Sequence, residues 1–504
     1  MATAAAVAIL AAVPVAGWAT SLPERTFPVS PPGIAAGTDA VVSNDGGSVV
    51  FDAGGNIFLA NVLTGADRLI SGGPGAVPGN GLSAQPAVSA DGSVVAFASA
   101  AANLTGGDVN GMTDVFVRAG SGDVETVSVA ADGGPANGAS SQPALSADGR
   151  YVVFTSTASN LVAGDGNGLS DVFLRDRQAH TTVRVSVGRG AVQANGPSST
   201  PAISGDGRVI SFASAAGNLV ASDRNRVPDV FVRVPSSDTT ALVSVSGRGQ
   251  PQNAAVGAAF TQISSLSGDG RLVAFDSNAT NLVAGEDPRA RTNVFVRDRT
   301  RRRTVLVSQG NAGFEGNNDS FAPYITPSGL YVTFESFARN LAPGGGPREN
   351  VFVRDLSLST TAVVDVAPGG SAPGPEAGGQ VLERPTLSGD GSVATFSSTA
   401  SNLTAGTKAS GVFLRLLAPP RGLLRGAAPR PGRRPSVSVG ADDPAARSFE
   451  CRIDHRLPFT CAPGRLRLPA LPLGVHSLLV RAGGPGMLYD PLGLRVTLRV
   501  TARG

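Results

Sequence analysis

Tryptophan is almost missing from this chain: Trp18 is the only one, and four tyrosines accompany it in 504 residues. Sugar-binding surfaces depend on exposed aromatic faces, so a carbohydrate-stacking groove is poorly supplied. Histidine is nearly as scarce. His180, His455 and His476 fall in turns or in the tail, with no nucleophile or paired carboxylate in sequence context. No Gly-x-Ser-x-Gly elbow occurs, which removes the commonest serine-hydrolase signature. There are only two cysteines, Cys451 and Cys461, too few for a zinc site even with His455 added. At the two ends of an expected hairpin they read as a disulfide, provided the compartment is oxidising. Long apolar runs are also absent beyond residues 4–16, which are followed by Gly17-Trp18-Ala19. That run is short for a membrane span and suits a signal-peptide core, although no basic segment precedes it. Residues 1–19 are therefore expected to be a signal peptide or an N-terminal anchor, and the chain to be exported. No further span is expected.

Lys408 is the only lysine, so arginine carries the positive charge. The formal net charge is +3, but from Arg415 onward 15 arginines face five acids, leaving an acidic body before a basic tail. Such a tail could meet an anionic polymer. Arginine-rich composition with ordinary solvated surface charge is the preferred explanation, and no nucleic-acid partner is expected.

Glycine and proline are plentiful, and their placement is periodic. One unit reads Gln142-Pro-Ala-Leu-Ser-Ala-Asp-Gly149, then Arg150-Tyr-Val-Val-Phe-Thr-Ser156, a loop, Asp171-Val-Phe-Leu-Arg-Asp176 and Thr181-Thr-Val-Arg-Val-Ser186. The Ser-x-Asp-Gly turn recurs at Asp91, Asp148, Asp206, Asp269 and Asp390, with weaker copies at Asp45 and at Pro327-Ser328-Gly329. Asp-Gly supplies the positive φ of a tight hairpin, and Val-Val-Phe and Val-Phe-Val alternate as half-buried strands do. Four strands make a unit that cannot bury both faces alone, and stacking the units in a ring solves that. First, second and third strands occur seven times. A fourth-strand copy is missing after Leu414, but Arg25-Thr26-Phe27-Pro28-Val29-Ser30 matches it at the other end of the chain. The expected fold is an all-β, seven-bladed β-propeller over residues 20–417, with strand 25–30 completing the last blade. Pro28 is tolerable on an outermost strand.

These residues resemble the TolB-like propeller family, whose blades carry the Ser-x-Asp-Gly turn, a Val/Ile-x-Phe strand and an Asp-Val/Ile-Phe/Tyr-Val strand. The resemblance covers roughly residues 36–417 and implies an exported or periplasmic protein that binds other proteins. Residues 436–504 resemble a bacterial Ig-like module through Ser448-Phe-Glu-Cys451, Pro458-Phe-Thr-Cys461, Gly474-Val-His476 and Val480-Arg-Ala482, departing from it around Gly483-Gly-Pro-Gly486. The Pro/Gly/Arg-rich stretch 418–435 reads as a linker.

Three blades place oxygen ligands at alternating positions before the third strand: Asp108, Asn110 and Asp114; Asp165, Asn167 and Asp171; Asp223, Asn225 and Asp229. Calcium takes such ligands, but the closing bidentate Glu of an EF-hand loop is not there. Side chains capping the loop and the strand entrance are the preferred reading, with calcium as the alternative and no other cofactor expected. The Ser-x-Asp-Gly turns differ from a sialidase Asp-box, which separates Asp from Gly, and read as structural. Together these point to a monomeric, non-enzymatic scaffold that binds a protein partner at the cell envelope, docking where the second-to-third-strand loops gather. The alternative is a loop-built, metal-dependent hydrolase or lactonase at the ring's channel, which would leave no local motif.

Overall fold

A computed structural model describes residues 26–29 and 39–417, apart from 63, 254–262, 286–288, 344–348, 368–383, 401 and 405–410, together with Ile9–Leu10 and the strands of the C-terminal segment. The chain divides into two compact units, residues 26–416 and residues 1–25 with 417–504.

The larger unit is a seven-bladed propeller, built from seven four-stranded antiparallel sheets. Blade 1 is Ala40–Val42, Ser48–Ala53, Asn56–Asn61 and Asp67–Leu69, and blade 2 is Ser83–Val88, Val94–Ser99, Asp114–Ala119 and Val124–Thr126. Blades 3 to 6 repeat that order from Ser140–Leu145 to Thr360–Val363. In the seventh sheet, Thr386–Leu387, Val393–Ser398 and Gly411–Leu416 are joined by Thr26–Pro28, with Thr26 opposite Arg415 and Pro28 opposite Phe413.

The Val-x-Phe and Asp-Val-Phe motifs explain why each blade holds together. Register places the two phenylalanines directly opposite each other, as in Phe154 and Phe173. The rings stack at 5.7 to 5.9 Å in all seven blades, from Phe51 on Phe58 to Phe396 on Phe413. The valines of one blade then receive the phenylalanines of the next. Val94, Val115 and Val117 of blade 2 pack with Phe154 and Phe173 of blade 3, and Val393, Val412 and Leu414 of blade 7 pack with Phe51 of blade 1. This last cluster brings the ends of the array together. Third-strand arginines tie neighbouring blades: Arg118 donates to Gly72 O, Arg297 to Ser246 O, Arg354 to Gln309 O and Arg415 to Val366 O.

Two details depart from expectation. The Asp45 turn is a full copy, since Ser43 Oγ donates to Asp45 Oδ1 at 2.6 Å as Ser146 does to Asp148. Val185-Ser186, read above as the end of the fourth strand, lie just past it, because the serine side chain takes over from the ladder: Ser186 Oγ donates to Asp171 Oδ1 (2.5 Å) and accepts from Val172 N.

In the smaller unit, Ile9–Leu10, Leu494–Val500, Gly474–Gly483, Ser448–Ile453 and Phe459–Cys461 form one sheet, and Gly422–Gly426, Ser436–Ala441 and Gly464–Arg467 another. Within the stretch 418–435, Gly422–Gly426 pairs with Ser436–Ala441. Of the expected signal segment 1–19, all but Ile9–Leu10 lies outside the described residues. Cys451 is buried opposite Phe459, while the Cys461 side chain lies outside the described residues. No helix among the described residues is long and apolar enough to cross a membrane.

Candidate functional site

The seven innermost strands surround a central channel of about 360 Å³. One end is drawn in by the Ser-x-Asp-Gly turns. The x residues touch from blade to blade through main-chain hydrogen bonds, Ala90 N to Ala147 O, Ala147 N to Gly205 O, Gly205 N to Gly268 O, Gly268 N to Pro327 O and Gly389 N to Asn44 O, and Asp45 N, next to Asn44, donates to Ala90 O, all 2.8 to 3.1 Å. Pro327 has no N–H, so the collar stops there. Such contact requires small side chains, and a Cβ at Gly389 would overlap the Asn44 amide. The turn glycine serves a second purpose: Gly149 has φ +67°, and a Cβ there would lie 2.7 Å from Val94 of the preceding blade.

The other end is lined by a tier one half-strand away, occupied by Asp39, Gln85, Gln142, Thr200, Ile263 and Arg384, with Ala322 at the matching position of blade 6. In blades 2, 3, 4 and 6 the tier residue precedes proline and has positive φ (Gln85 56°, Gln142 55°, Thr200 50°, Ala322 52°), at a register shift in the strand pair. That twist turns each N–H toward the previous blade. Gln85 N donates to Asp39 Oδ2 (3.1 Å), Gln142 N to Gln85 Oε1 (2.9 Å) and Thr200 N to Gln142 Oε1 (2.9 Å). Ala322 N donates to Asp276 Oδ2 (3.3 Å).

Charge collects on one side of this tier. Asp276 is buried and also accepts from Ile263 N; burial pushes its carboxyl up to about 7, against the pull of these amides and of Arg384. Arg384 donates to Pro323 O and Ser264 O, each at 3.0 Å, and its guanidinium lies 5.6 Å from the Tyr324 ring centre. Burial lowers Arg384 to about 10, with Tyr324 and Asp276 opposing, and burial also raises the Tyr324 hydroxyl. This tier carries only a faint mark in the sequence. Its signal was the recurring x-Pro pair at Gln85-Pro86, Gln142-Pro143, Thr200-Pro201, Ala322-Pro323 and Arg384-Pro385.

Strand direction gives the ring two unlike faces. The Ser-x-Asp-Gly turns share one with the third-to-fourth-strand turns, and it bears charge, including the Arg150–Asp176 pair at 2.6 Å and the exposed Arg208. The second-to-third-strand loops and the blade-to-blade connections share the other. Of the eight exposed large apolar side chains among the described residues, six lie there: Val77, Leu82, Val109, Met112, Val192 and Phe314.

The loop oxygen residues gather blade by blade on that second face. Asn110 Nδ2 donates to Asp114 Oδ2 (2.6 Å), Asn167 Nδ2 to Asp171 Oδ2 (2.8 Å) and Asn225 Nδ2 to Asp229 Oδ2 (2.8 Å). Each aspartate also accepts from a serine after the fourth strand, namely Ser128, Ser186 or Ser244. The strand entrance is thus clamped by side-chain hydrogen bonds. Asp165 pairs with Arg184 at 3.0 Å. Asp108 and Asp223 are buried, and burial raises both carboxyls. Burial also lifts Asp114, and lifts Asp229 to about 6. No three His, Cys, Asp or Glu among the described residues cluster as a metal site on their own.

No family model matches the chain, and no curated protein matches it in sequence. Similar solved structures include TolB from Acinetobacter baumannii, 14% identical over 65% of this chain with a TM-score of 0.35; the chain covers 62% of that protein. A putative TolB from Agrobacterium tumefaciens is 16% identical over 72% of this chain and 98% of that one, with a TM-score of 0.39. Oligogalacturonate lyase from Vibrio parahaemolyticus is 9% identical over 82% of this chain and 97% of that one, at 0.47. The seven blades stand on the strand pairing itself, not on these likenesses.

Proposed function

We propose that the protein is an exported, non-enzymatic scaffold that docks a protein partner at the cell envelope on the loop face of its ring. The observation that carries this reading is the gathering of exposed apolar side chains on that face, with Leu82, Val109 and Phe314 each more than 70% exposed. Isolated apolar residues are ordinary on a surface, whereas several on one face of a ring mark a place for contact. Export rests on the apolar run at residues 4–16 and on the cysteine pair. In the same reading, Thr26–Pro28 is the clasp that completes blade 7, the C-terminal strands form an Ig-like module, and Cys451 and Cys461 cross-link it.

The experiment is cross-linking and capture from an envelope extract, using wild type, Leu82→Asp with Phe314→Asp, and a turn-face control, Arg208→Glu. A partner held by wild type and the control but lost from the double variant is the expected result. Retention by all three chains, or equal loss from the control, contradicts the reading.

A second reading, a loop-built hydrolase or lactonase, draws on the Asp276, Arg384 and Tyr324 cluster at the channel. The commitment of Arg384 to two main-chain carbonyls favours a bracing role over a reacting one. Ester or lactone turnover by wild type that Arg384→Met abolishes would reverse that preference.

A further inference from the structure

The loop of blade 3 carries its own cation. Arg184 leaves the fourth strand opposite Phe173, and its guanidinium donates to Asp165 Oδ1 (3.0 Å), Asp171 Oδ2 (3.4 Å), Gln193 Oε1 (2.9 Å) and Gly164 O (3.3 Å). Two buried carboxylates, a carbonyl and an amide oxygen thus converge on one positive charge. Blade 2 repeats the acidic half of this arrangement without the charge. Asp108 and Asp114 stand where Asp165 and Asp171 stand, and Gly107 matches Gly164. The residue opposite Phe116, in the place of Arg184, is Thr126, and Pro135 replaces Gln193 at the equivalent bridge.

The consequence falls on Asp108. It is 9% exposed, and neither carboxylate oxygen has a hydrogen-bond partner among the described residues. Its carboxyl is raised first by burial and then by the charge of Asp114, with the Asn110 main-chain N–H opposing. Asp114 accepts from Ser128 and Asn110, as an ionised carboxylate does. A buried, unpartnered carboxylate beside a second one is costly unless a cation joins them.

We propose that the second-to-third-strand loop of blade 2 binds a calcium ion between Asp108 and Asp114, at the position that the Arg184 guanidinium holds in blade 3. The donors are all oxygens: two carboxylates and the Gly107 carbonyl, the rest of the shell being left to water, which suits a hard divalent cation of flexible coordination. This inference is independent of partner docking.

The test is isothermal titration of the full chain with calcium chloride after chelator treatment, with thermal melting alongside. Wild type is compared with Asp108→Asn, which removes a ligand charge, and Thr126→Arg, which supplies the blade 3 guanidinium. Expected are calcium binding by wild type, a rise of about 4 °C in its melting temperature at saturating calcium, and one ion fewer per chain in both variants. Thr126→Arg should also melt higher than wild type without calcium. Absence of calcium binding by wild type, or an unchanged ion count in both variants, overturns the proposal. If Asp108→Asn does not fold, Thr126→Arg alone decides between these outcomes.

Discussion

Blades 2 to 4 and blades 5 to 7 solve the same hydrogen-bonding problems with opposite placements of charge. In blades 2 to 4 the third strand opens on Asp114, Asp171 and Asp229, while the channel tier is neutral, held by Gln85, Gln142 and Thr200. In blades 5 and 6 the strand opens on Asn293 and Asn350, and Asp276 accepts from the tier residues Ile263 and Ala322, with Arg384 arriving from blade 7. An amide and a carboxylate accept the same serine hydroxyl equally well: Ser308 Oγ donates to Asn293 Oδ1 at 2.7 Å, much as Ser128 does to Asp114. The clamp needs an acceptor and is indifferent to its charge. A buried carboxylate, however, needs a cation or a proton. Charge therefore marks where ligand chemistry can enter, on the loop face in one half of the ring and at the channel in the other.

The strongest break in this comparison lies at blade 7, where Gly411 opens the strand in place of either Asx residue. In the proposed reading its outer edge is covered by Thr26–Pro28, with the flanking Val29 N to Val412 O bond. Removing residues 20–30 should cost about 3 kcal/mol, from roughly three net hydrogen bonds and an exposed edge. Equilibrium unfolding that matches wild type would show that this strand is no part of the ring.

Next in size is an attempt to make blade 5 resemble blade 2. Asn293 Nδ2 donates to Glu315 Oε1 at 2.8 Å, so Asn293→Asp sets two carboxylates against each other. A loss of about 2 kcal/mol at neutral pH is expected. The pair would titrate above the usual carboxylate range when folded, so the loss should shrink as pH falls toward about 4. Urea unfolding at acidic and neutral pH reads this directly, and a loss independent of pH would mean that the amide matters only for packing.

A third break, read through pH, concerns Asp276. Its folded pKa of about 7 lies above the ordinary value of 3.8. The stability it contributes is thus fully present below about pH 4 and lost as pH rises through 7. Asp276→Asn should therefore gain on wild type across that window. Melting curves whose separation stays constant from pH 4 to 8 would contradict the assignment.

Much of the ring was legible in the residues because its determinants are local. Asp-Gly dictates a turn, and alternating Val and Phe dictate a strand with one face against the next blade. The seven-fold count came from the recurrence of Val-x-Phe and Asp-Val-Phe, which the structure aligns as stacked pairs. The channel tier was not legible. Gln85 and Gln142 look like ordinary polar residues before proline until each main-chain N–H is seen to meet the side chain of the preceding blade, 46 to 58 positions away. The smallness of Ala90, Ala147, Gly205, Gly268 and Gly389 had no visible cause until they met around the axis. Among the loops, sequence offered three equivalent acidic sets, and only the fold separated them, by bringing Arg184 to one and leaving Thr126 beside another.

By itself, then, the sequence determined the repeating unit, its turn chemistry and the number of blades, since each depends on residues within one hairpin. Tertiary structure decided which acidic residue is paired, which is left without a partner, and where charge faces the channel. Those outcomes depend on neighbours supplied by another strand or another blade, and in a closed ring such neighbours are fixed only when the blades stack.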